Sequence, residues 1–219
     1  MNYAYVIPQW FFGFDIGMEI LFAIITCLVA VFAFKINKVT KERKIWLLGV
    51  AFLLMGLSYI FLGGINYWFA QIASEQFREV SIGEIQTVGI VGVYLYMILF
   101  TSGLVTLAYL TAGMKKGKTY YLLFGLSLLV IASSFYKLIT FRILAVFLLS
   151  FIAYQYFDDY LKNKNKKEFW ILLSFTILFL SSVCFIFSPV YYPAYIVGHL
   201  FELLAYIIML VVLIKTVKK

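Results

Sequence analysis

The residues best suited to chemistry lie in the last apolar stretch of the chain, residues 193–214. This stretch contains the only histidine of the sequence, His199, and a carboxylate three residues later, Glu202. In a helix, Tyr195, His199, Glu202 and Tyr206 have the spacing i, i+4, i+7 and i+11, so they share one face. Because ionisable groups are costly to keep inside a membrane, they are candidates for function when they face protein or water.

A pair of acids lies in the first apolar stretch. Asp15 and Glu19 are four residues apart and also share a helical face. At about 1.5 Å per residue, they lie roughly 7–8 Å and 13 Å in from Trp10. Counted from the start of the last stretch, His199 and Glu202 lie roughly 9 Å and 13–14 Å deep. Since the first and last helices of a closed bundle are commonly neighbours, we expect the two acidic faces to meet.

Arg142 lies about one turn inside the fifth apolar stretch and would approach the acids from the same side. The sequence therefore predicts a polar pocket in the outer half of the bundle, built from Asp15, Glu19, Arg142, Tyr195, His199 and Glu202. The alternative is a cluster of ion pairs and hydrogen bonds that only fixes helix packing, which is also common in bundle interiors.

A metal site is a second chemical interpretation of the same residues. The spacing His199-x-x-Glu202 resembles the Glu-x-x-His pair with which helical bundles hold metal ions. With Glu19 and Asp15, this set would suit zinc or manganese. Seven-helix hydrolases of the ceramidase and adiponectin-receptor type use several histidines, whereas this chain has one. The sequence therefore disfavours a metal site at His199, Glu202 and Glu19, and it excludes bis-histidine haem.

The succession of apolar stretches resembles the topology of opsins and other seven-helix receptors. Attachment of retinal needs a lysine midway along the last helix, but the only lysine of that stretch is Lys215, at its end. The resemblance is one of topology, and a retinal Schiff base is not supported.

The chain also lacks the Gly-x-Ser-x-Gly signature of hydrolases. An enzyme is therefore not the favoured interpretation.

The composition of the chain indicates that it is a membrane protein. Hydrophobic residues make up 64% of the chain and charged residues 13%, with a mean hydropathy of +0.99, whereas soluble domains are about half apolar and about a quarter charged. Because about 20 apolar residues cross a bilayer, we predict an all-α, seven-helix transmembrane bundle that forms a single integral membrane domain over residues 1–219. The predicted helices are 10–34, 45–69, 85–113, 120–135, 138–157, 169–187 and 193–214.

Charges in the connections predict the orientation. Lysine and arginine fill the first, third and fifth connections and the tail, whereas the second connection is acidic and the sixth is uncharged. Since cytoplasmic loops carry the basic excess, we expect the N-terminus outside and the C-terminus in the cytoplasm of a multi-pass protein of the cell membrane. These loops explain the net charge of +8, so no nucleic-acid partner is expected. Residues 1–9 lack the features of a signal peptide, and residues 70–84 are expected to form an amphipathic helix at the outer surface.

The leading functional hypothesis is a non-enzymatic receptor, sensor or carrier that binds a small ligand or cation from the outer side. A receptor would need a cytoplasmic partner at the basic loops, and a carrier would need a polar path, for which Thr26, Thr101 and Ser102 are the candidates. One alternative is a metal-assisted membrane hydrolase or lipid-modifying enzyme, and another is a structural or assembly subunit without a ligand site. The richness in lysine, isoleucine, tyrosine and phenylalanine suggests a prokaryotic source.

Overall fold

The computed structural model describes residues 12–74, 82–114 and 117–217. These residues form seven α-helices: α1 (Phe12–Thr40), α2 (Arg43–Ser74), α3 (Ile82–Thr111), α4 (Gly117–Ser133), α5 (Lys137–Asn163), α6 (Lys166–Phe187) and α7 (Tyr192–Val217). The prediction of an all-α architecture with seven apolar helices is confirmed for this part of the chain.

Six of the helices, all but α4, are long and apolar enough to cross a membrane. Helix α4 has 17 residues, which corresponds to about 26 Å against a hydrocarbon core about 30 Å thick. The chain is therefore a membrane-protein-like bundle with six helices of spanning length and one shorter apolar helix.

Several helices are longer than the apolar stretches that predicted them. Helix α1 continues to Thr40 instead of ending at residue 34, and α5 continues to Asn163 instead of residue 157. The added turns carry Lys38 and Lys162, and cations near a helix C-terminus interact favourably with its dipole. The helices are longer than the apolar stretches because Lys35 and Asp158 each end an apolar stretch without ending its helix.

Tight turns join the helices at their lysine-rich ends. After α5, Lys164 adopts a left-handed conformation (φ 48°), and its N–H bonds to the Tyr160 carbonyl at 2.7 Å. The side chain of Asn165 then caps α6 by accepting a bond of 3.1 Å from the Lys167 N–H. Such caps satisfy backbone groups that would otherwise lack partners at the helix ends.

Six helices close into a ring, and α4 lies outside it. Neighbours around the ring are α1–α2, α2–α3, α3–α5, α5–α6, α6–α7 and α7–α1. Helix α4 packs only against α3 and α5, judged over the described residues. The expected contact between the first and last helices is therefore present, and it places the two acid-bearing helices side by side.

Side-chain contacts fix the direction of the helices. Asp15, near the start of α1, bonds to Tyr195, near the start of α7, so these two helices run parallel. Helices α3 and α5 are also parallel, because Lys137 lies over the Tyr94 ring while Phe141, one turn later, packs on Phe100. Helix α4 must therefore carry the chain back along the outside of the ring, from the end of α3 to the start of α5.

This arrangement gathers basic residues at the end of the bundle opposite the start of α1. The described lysines of the first, third and fifth connections and of α7 lie there, namely Lys35, Lys38, Lys41, Lys44, Lys118, Lys162, Lys164, Lys166, Lys167 and Lys215. Lys137 and Arg142, at the start of α5, lie toward the other end.

Some sequence predictions fall outside the described ranges. These are the start of the first helix at Trp10, the lack of signal-peptide features in residues 1–9, and the loop lysines Lys115, Lys116, Lys218 and Lys219. The centre of the expected amphipathic helix, residues 75–81, is also outside them, while its two ends belong to α2 and α3.

Candidate functional site

Three side chains meet where α1 and α7 begin side by side. The Tyr195 hydroxyl donates a hydrogen bond of 2.7 Å to Asp15 Oδ1, and His199 Nε2 lies 3.2 Å from the same oxygen. Asp15 is 3% exposed and His199 is 6% exposed. Asp15 of α1 thus lies against the histidine of α7.

Aromatic rings surround the imidazole of His199. Phe22 stacks on it with a centroid distance of 5.7 Å, while Phe185 and Tyr195 approach it edge-on at 4.9 Å and 4.6 Å. Phe185 can come this close because it packs beside Gly198, where an added Cβ would lie 3.0 Å from the ring. The histidine is therefore fixed in position, and only its two nitrogens face polar partners.

Glu202 lies one turn deeper and connects α7 to α2. Tyr59 of α2 donates a short hydrogen bond to Glu202 Oε1, and the hydroxyls of Tyr59 and Tyr206 are 2.7 Å apart. The other carboxylate oxygen, Oε2, lies 3.9 Å from His199 Nδ1. Since α2 and α7 are not neighbours in the ring, the long Tyr59 side chain reaches across its interior.

Glu19 is held by α2. The Asn66 amide donates to both of its carboxylate oxygens, at 2.7 Å and 3.0 Å. At Gly63, one turn before Asn66, an added Cβ would lie 3.4 Å from the Glu19 Cβ. Gly63 thus lies in direct contact with Glu19, and the close packing of α1 and α2 brings the Asn66 amide within reach of the acid.

Arg142 borders these residues from α5. Its guanidinium lies over the ring of Phe185, 4.2 Å from the centroid, and within 5.9 Å of the Tyr96 ring. It also interacts electrostatically with Glu19. Stacking on aromatic faces is a favourable position for a guanidinium in an apolar interior.

Of the six residues predicted for the site, four form one contact chain and two border it. The chain contains Asp15, Tyr195, His199 and Glu202, and the bordering residues are Glu19 and Arg142. No family model, curated protein or solved structure matches the sequence. The roles of these residues are therefore argued from their geometry.

The sequence did not indicate the two partners that α2 supplies. Asn66 is a polar residue within an apolar stretch, which could have drawn attention to it. Tyr59 is one of 17 tyrosines and carries no such signal. We call the full set the acidic–histidine cluster, which consists of Asp15, Glu19, Tyr59, Asn66, Tyr195, His199, Glu202 and Tyr206.

The metal interpretation finds no matching geometry among the described residues. Within them, no three histidine, cysteine or acidic side chains converge in the way a metal ion needs. Glu19 is bonded to Asn66, and Glu202 is bonded to Tyr59. His199, Glu202 and Glu19 are therefore held by three different sets of contacts.

Two of the residues suggested for a polar path bond within their own helices. Thr26 donates to the Phe22 carbonyl at 2.7 Å, and Ser102 donates to the Ile98 carbonyl at 2.6 Å. Such bonds to the preceding turn satisfy a hydroxyl within its own helix. Beyond Tyr206 the interior of α1, α2 and α7 is apolar, with the buried side chains of Val29, Ala30, Ala33, Phe52, Met209 and Leu213. We call these six residues the apolar half.

Proposed function

We propose that this chain is a multi-pass membrane sensor or receptor that binds a cation at the acidic–histidine cluster. The observation that carries the proposal is an imbalance of charge. Three nearly fully buried carboxylates, Asp15, Glu19 and Glu202, lie within reach of only two basic side chains among the described residues, His199 and Arg142. A bound cation would balance the excess.

The cost of burial explains why the imbalance matters. Removing an unpaired carboxylate from water costs several kcal/mol even after the surroundings relax, about the order found for buried ions in general. Hydrogen bonds from Tyr195, Asn66 and Tyr59 offset part of this cost. They add no positive charge, however, and when His199 is neutral, Arg142 is the single cation beside the three acids in the part of the chain that the structure describes.

Sensing is favoured over transport because the polar contacts of the cluster do not continue along the bundle. Asp15 lies one turn inside α1, next to the exposed residues Gly13 and Phe14. At the other end, the cluster stops at Tyr206, and the apolar half follows. A carrier would need a continuous polar route, whereas a sensor needs only access from one side.

The orientation supports an extracellular stimulus. With the lysine-rich end in the cytoplasm, the acidic–histidine cluster lies in the outer half of the bundle. The parallel pair α3 and α5 requires α4 to run the length of the bundle, which favours seven crossings and termini on opposite sides. A cytoplasmic partner at the lysine-rich end would receive the signal.

The test measures thermal unfolding of the purified protein in nanodiscs at constant ionic strength. The probes are Na⁺, K⁺, Ca²⁺, ethylammonium and protons, the last as a series from about pH 5 to pH 8, around the ordinary range of histidine. We expect at least one probe to stabilise the protein, by about 2.7 kcal/mol at one hundred times its Kd. Asp15→Asn and Glu202→Gln should lose this response.

Asp159→Asn is the matched control, because it removes an exposed carboxylate near the lysine-rich end of α5. It should respond as the unaltered protein does. If no probe changes the stability, or if Asp15→Asn and Glu202→Gln respond normally, the cluster is not a cation site.

A structural subunit is the second candidate, and one observation favours it. The hydrogen bonds of the cluster join α1 to α2 and to α7, and join α2 to α7, as packing contacts would. On this alternative, the double substitution Glu19→Gln with Glu202→Gln changes the unfolding temperature but no cation response exists to be lost.

A further inference from the structure

Glu19 is a buried acid whose hydrogen-bond partner suits both of its protonation states. The side chain is 3% exposed, and the Asn66 amide donates to both carboxylate oxygens, at 2.7 Å and 3.0 Å. These bonds fit the ionised form, because a carboxylate accepts hydrogen bonds and donates none. Asn66 itself is half-buried, so the pair extends from the interior of the cluster toward the surface of the bundle.

The amide differs in kind from the tyrosine partners of the other two acids. A primary amide carries N–H donors and a carbonyl acceptor side by side, and a protonated carboxyl group has the matching pattern of one O–H donor beside a carbonyl acceptor. By contrast, Tyr195 gives Asp15 one hydroxyl, and Tyr59 gives Glu202 one hydroxyl. Glu19 can therefore take up a proton and still form two hydrogen bonds with a single side chain.

We propose that Glu19 and Asn66 form a proton-binding site, and that the proton is the cation that the cluster accepts. This inference rests on the proposed function and names its ligand and the group that binds it. A proton from bulk water adds to one Glu19 oxygen, where an O–H bond forms, and no covalent bond of the protein breaks. The Asn66 amide then turns so that its carbonyl accepts from the new O–H while its N–H still donates to the other oxygen.

The proton also removes the excess negative charge of the cluster. Glu19 interacts electrostatically with Asp15 and Glu202, which attract a proton to it, and with Arg142, which repels one. A neutral Glu19 leaves two carboxylates beside two basic side chains among the described residues. A larger cation would have to displace the Asn66 amide or a tyrosine hydroxyl from the carboxylate oxygens, whereas a proton displaces neither.

The groups that set this balance come from the helices around the cluster. The charged neighbours of Glu19 are Asp15 on α1, Arg142 on α5 and Glu202 on α7. Helix α6 contributes the Phe185 ring. The remaining titratable side chains of the cluster and its border are Tyr59 on α2, Tyr96 on α3, and Tyr195, His199 and Tyr206 on α7.

Infrared difference spectroscopy in nanodiscs detects the site, because a protonated carboxyl group has a carbonyl band that a carboxylate lacks. Spectra are compared between about pH 6 and pH 9, above the ordinary range of exposed acids. We expect the unaltered protein to lose a carboxylic-acid band as the pH rises. Glu19→Gln should lack the band at every pH, since glutamine has the shape of the protonated acid but does not take up the proton.

Neighbouring substitutions test the geometry of the site. Asn66→Leu should retain the band at a higher frequency, because the acid loses the amide to which its O–H donates. Asp15→Asn and Glu202→Gln should move the loss of the band to lower pH, because each removes a negative charge that attracts the proton. Asp159→Asn is the matched control, since it removes an exposed acid, and it should leave the band unchanged.

Two further measurements keep the result interpretable. In protein without a histidine tag, ¹⁵N-histidine gives a single imidazole spectrum, from His199, which reports whether the cluster is intact in each variant. If Glu19→Gln does not fold, ¹³C-glutamate labelling assigns the band instead. A band that moves both with this label and in Asn66→Leu belongs to the glutamate that Asn66 binds, which is Glu19.

Three results would overturn the inference. They are the absence of a carboxylic-acid band in the unaltered protein, a band that Glu19→Gln leaves at full strength, and a band whose frequency is the same in Asn66→Leu.

The failure of this inference is distinct from failure of the proposed function. If Na⁺, K⁺, Ca²⁺ or ethylammonium stabilises the protein through Asp15 and Glu202 while no carboxylic-acid band appears, the cluster binds another cation and the proton assignment is wrong. If no probe acts through the cluster, both proposals are wrong.

Discussion

The same three helices pack together in two different ways along their length. Where α1 begins, α1, α2 and α7 meet through the acidic–histidine cluster, in which acids, a histidine, tyrosines and an asparagine bond across helices. Further along, they meet through the apolar half, where residues such as Ala33, Phe52 and Leu213 are buried without any polar contact between helices.

This difference shows that α1, α2 and α7 can pack against one another without ionisable residues. The apolar half joins the same helices by close contact, and buried charges generally contribute less to stability than well-packed apolar side chains of similar volume. The acids and the histidine are therefore an added cost at one end of an otherwise apolar interface. A binding site would explain why the protein has ionisable residues there in spite of this cost in stability.

The largest effect is expected in the apolar half. Leu213→Ala removes a side chain that is 4% exposed and should cost about 2–5 kcal/mol of unfolding free energy. Since none of the buried neighbours that define the apolar half is ionisable, the loss should be the same at pH 5 and pH 8. Denaturation in detergent at both pH values measures it. Val211→Ala, at an exposed position, is the control, and a strongly pH-dependent loss for Leu213→Ala would erase the contrast between the halves.

Asn66→Leu should give the next largest effect, because it removes both donors from buried Glu19. The expected loss is about 1–3 kcal/mol, greater at high pH, where the carboxyl is ionised and its bonds are stronger. Unfolding across the same pH range measures the loss. Adding Glu19→Leu removes the orphaned acid and should restore most of the stability. Absence of that recovery would mean that the leucine itself disturbs the α1–α2 contact.

Tyr59→Phe should cost less, because it removes only the hydroxyl that joins Glu202 to Tyr206. Hydrogen bonds between membrane helices contribute about 0.6 kcal/mol on average and about 1.7 kcal/mol at most. Thermal unfolding in nanodiscs measures the change, and Tyr67→Phe is the control on the same helix because Tyr67 is exposed. Equal losses of stability in the two variants would show that the Tyr59 hydroxyl stabilises the protein no more than the exposed Tyr67 hydroxyl does.

The smallest effect is expected between α6 and α7. Ser181 donates a hydrogen bond of 2.9 Å to the Gly198 carbonyl, next to His199. Ser181→Ala should cost about 0.6 kcal/mol and leave the imidazole spectrum of His199 in place, because the aromatic rings still hold the ring. Ser150→Ala is the control, since Ser150 is exposed and bonds within its own helix. A changed imidazole spectrum in Ser181→Ala alone would extend the site to α6.

Much of the part of the site near the starts of α1 and α7 could be predicted because its residues share a face within a single helix. Tyr195, His199 and Glu202 share a face by spacing alone, and counting residues from the helix ends placed Asp15 at the depth of His199. Both relations depend only on the spacing of residues along the chain. Apolar stretches likewise indicate helices directly, although they do not show how far a helix continues through the charged residues that follow.

Contacts that depend on the arrangement of helices could not be predicted in this way. Tyr59 reaches Glu202 because the ring places α2 and α7 on either side of α1. Asn66 reaches Glu19 because α2 packs directly against α1. The position of α4 outside the ring follows from the direct contact of α3 with α5, which no local pattern indicates.

The ribosome synthesises the hydrogen-bond partners of the two acids on α1 at very different times. Glu19 and Asn66 are 47 residues apart, whereas Asp15 and Tyr195 are 180 residues apart. At roughly 5–20 residues per second, the ribosome supplies Asn66 within about 2–9 s of Glu19, but Tyr195 follows Asp15 only after about 9–36 s. During synthesis, α1 therefore enters the membrane before the donors of Asp15 exist, and a chain that stops short of α7 never supplies them.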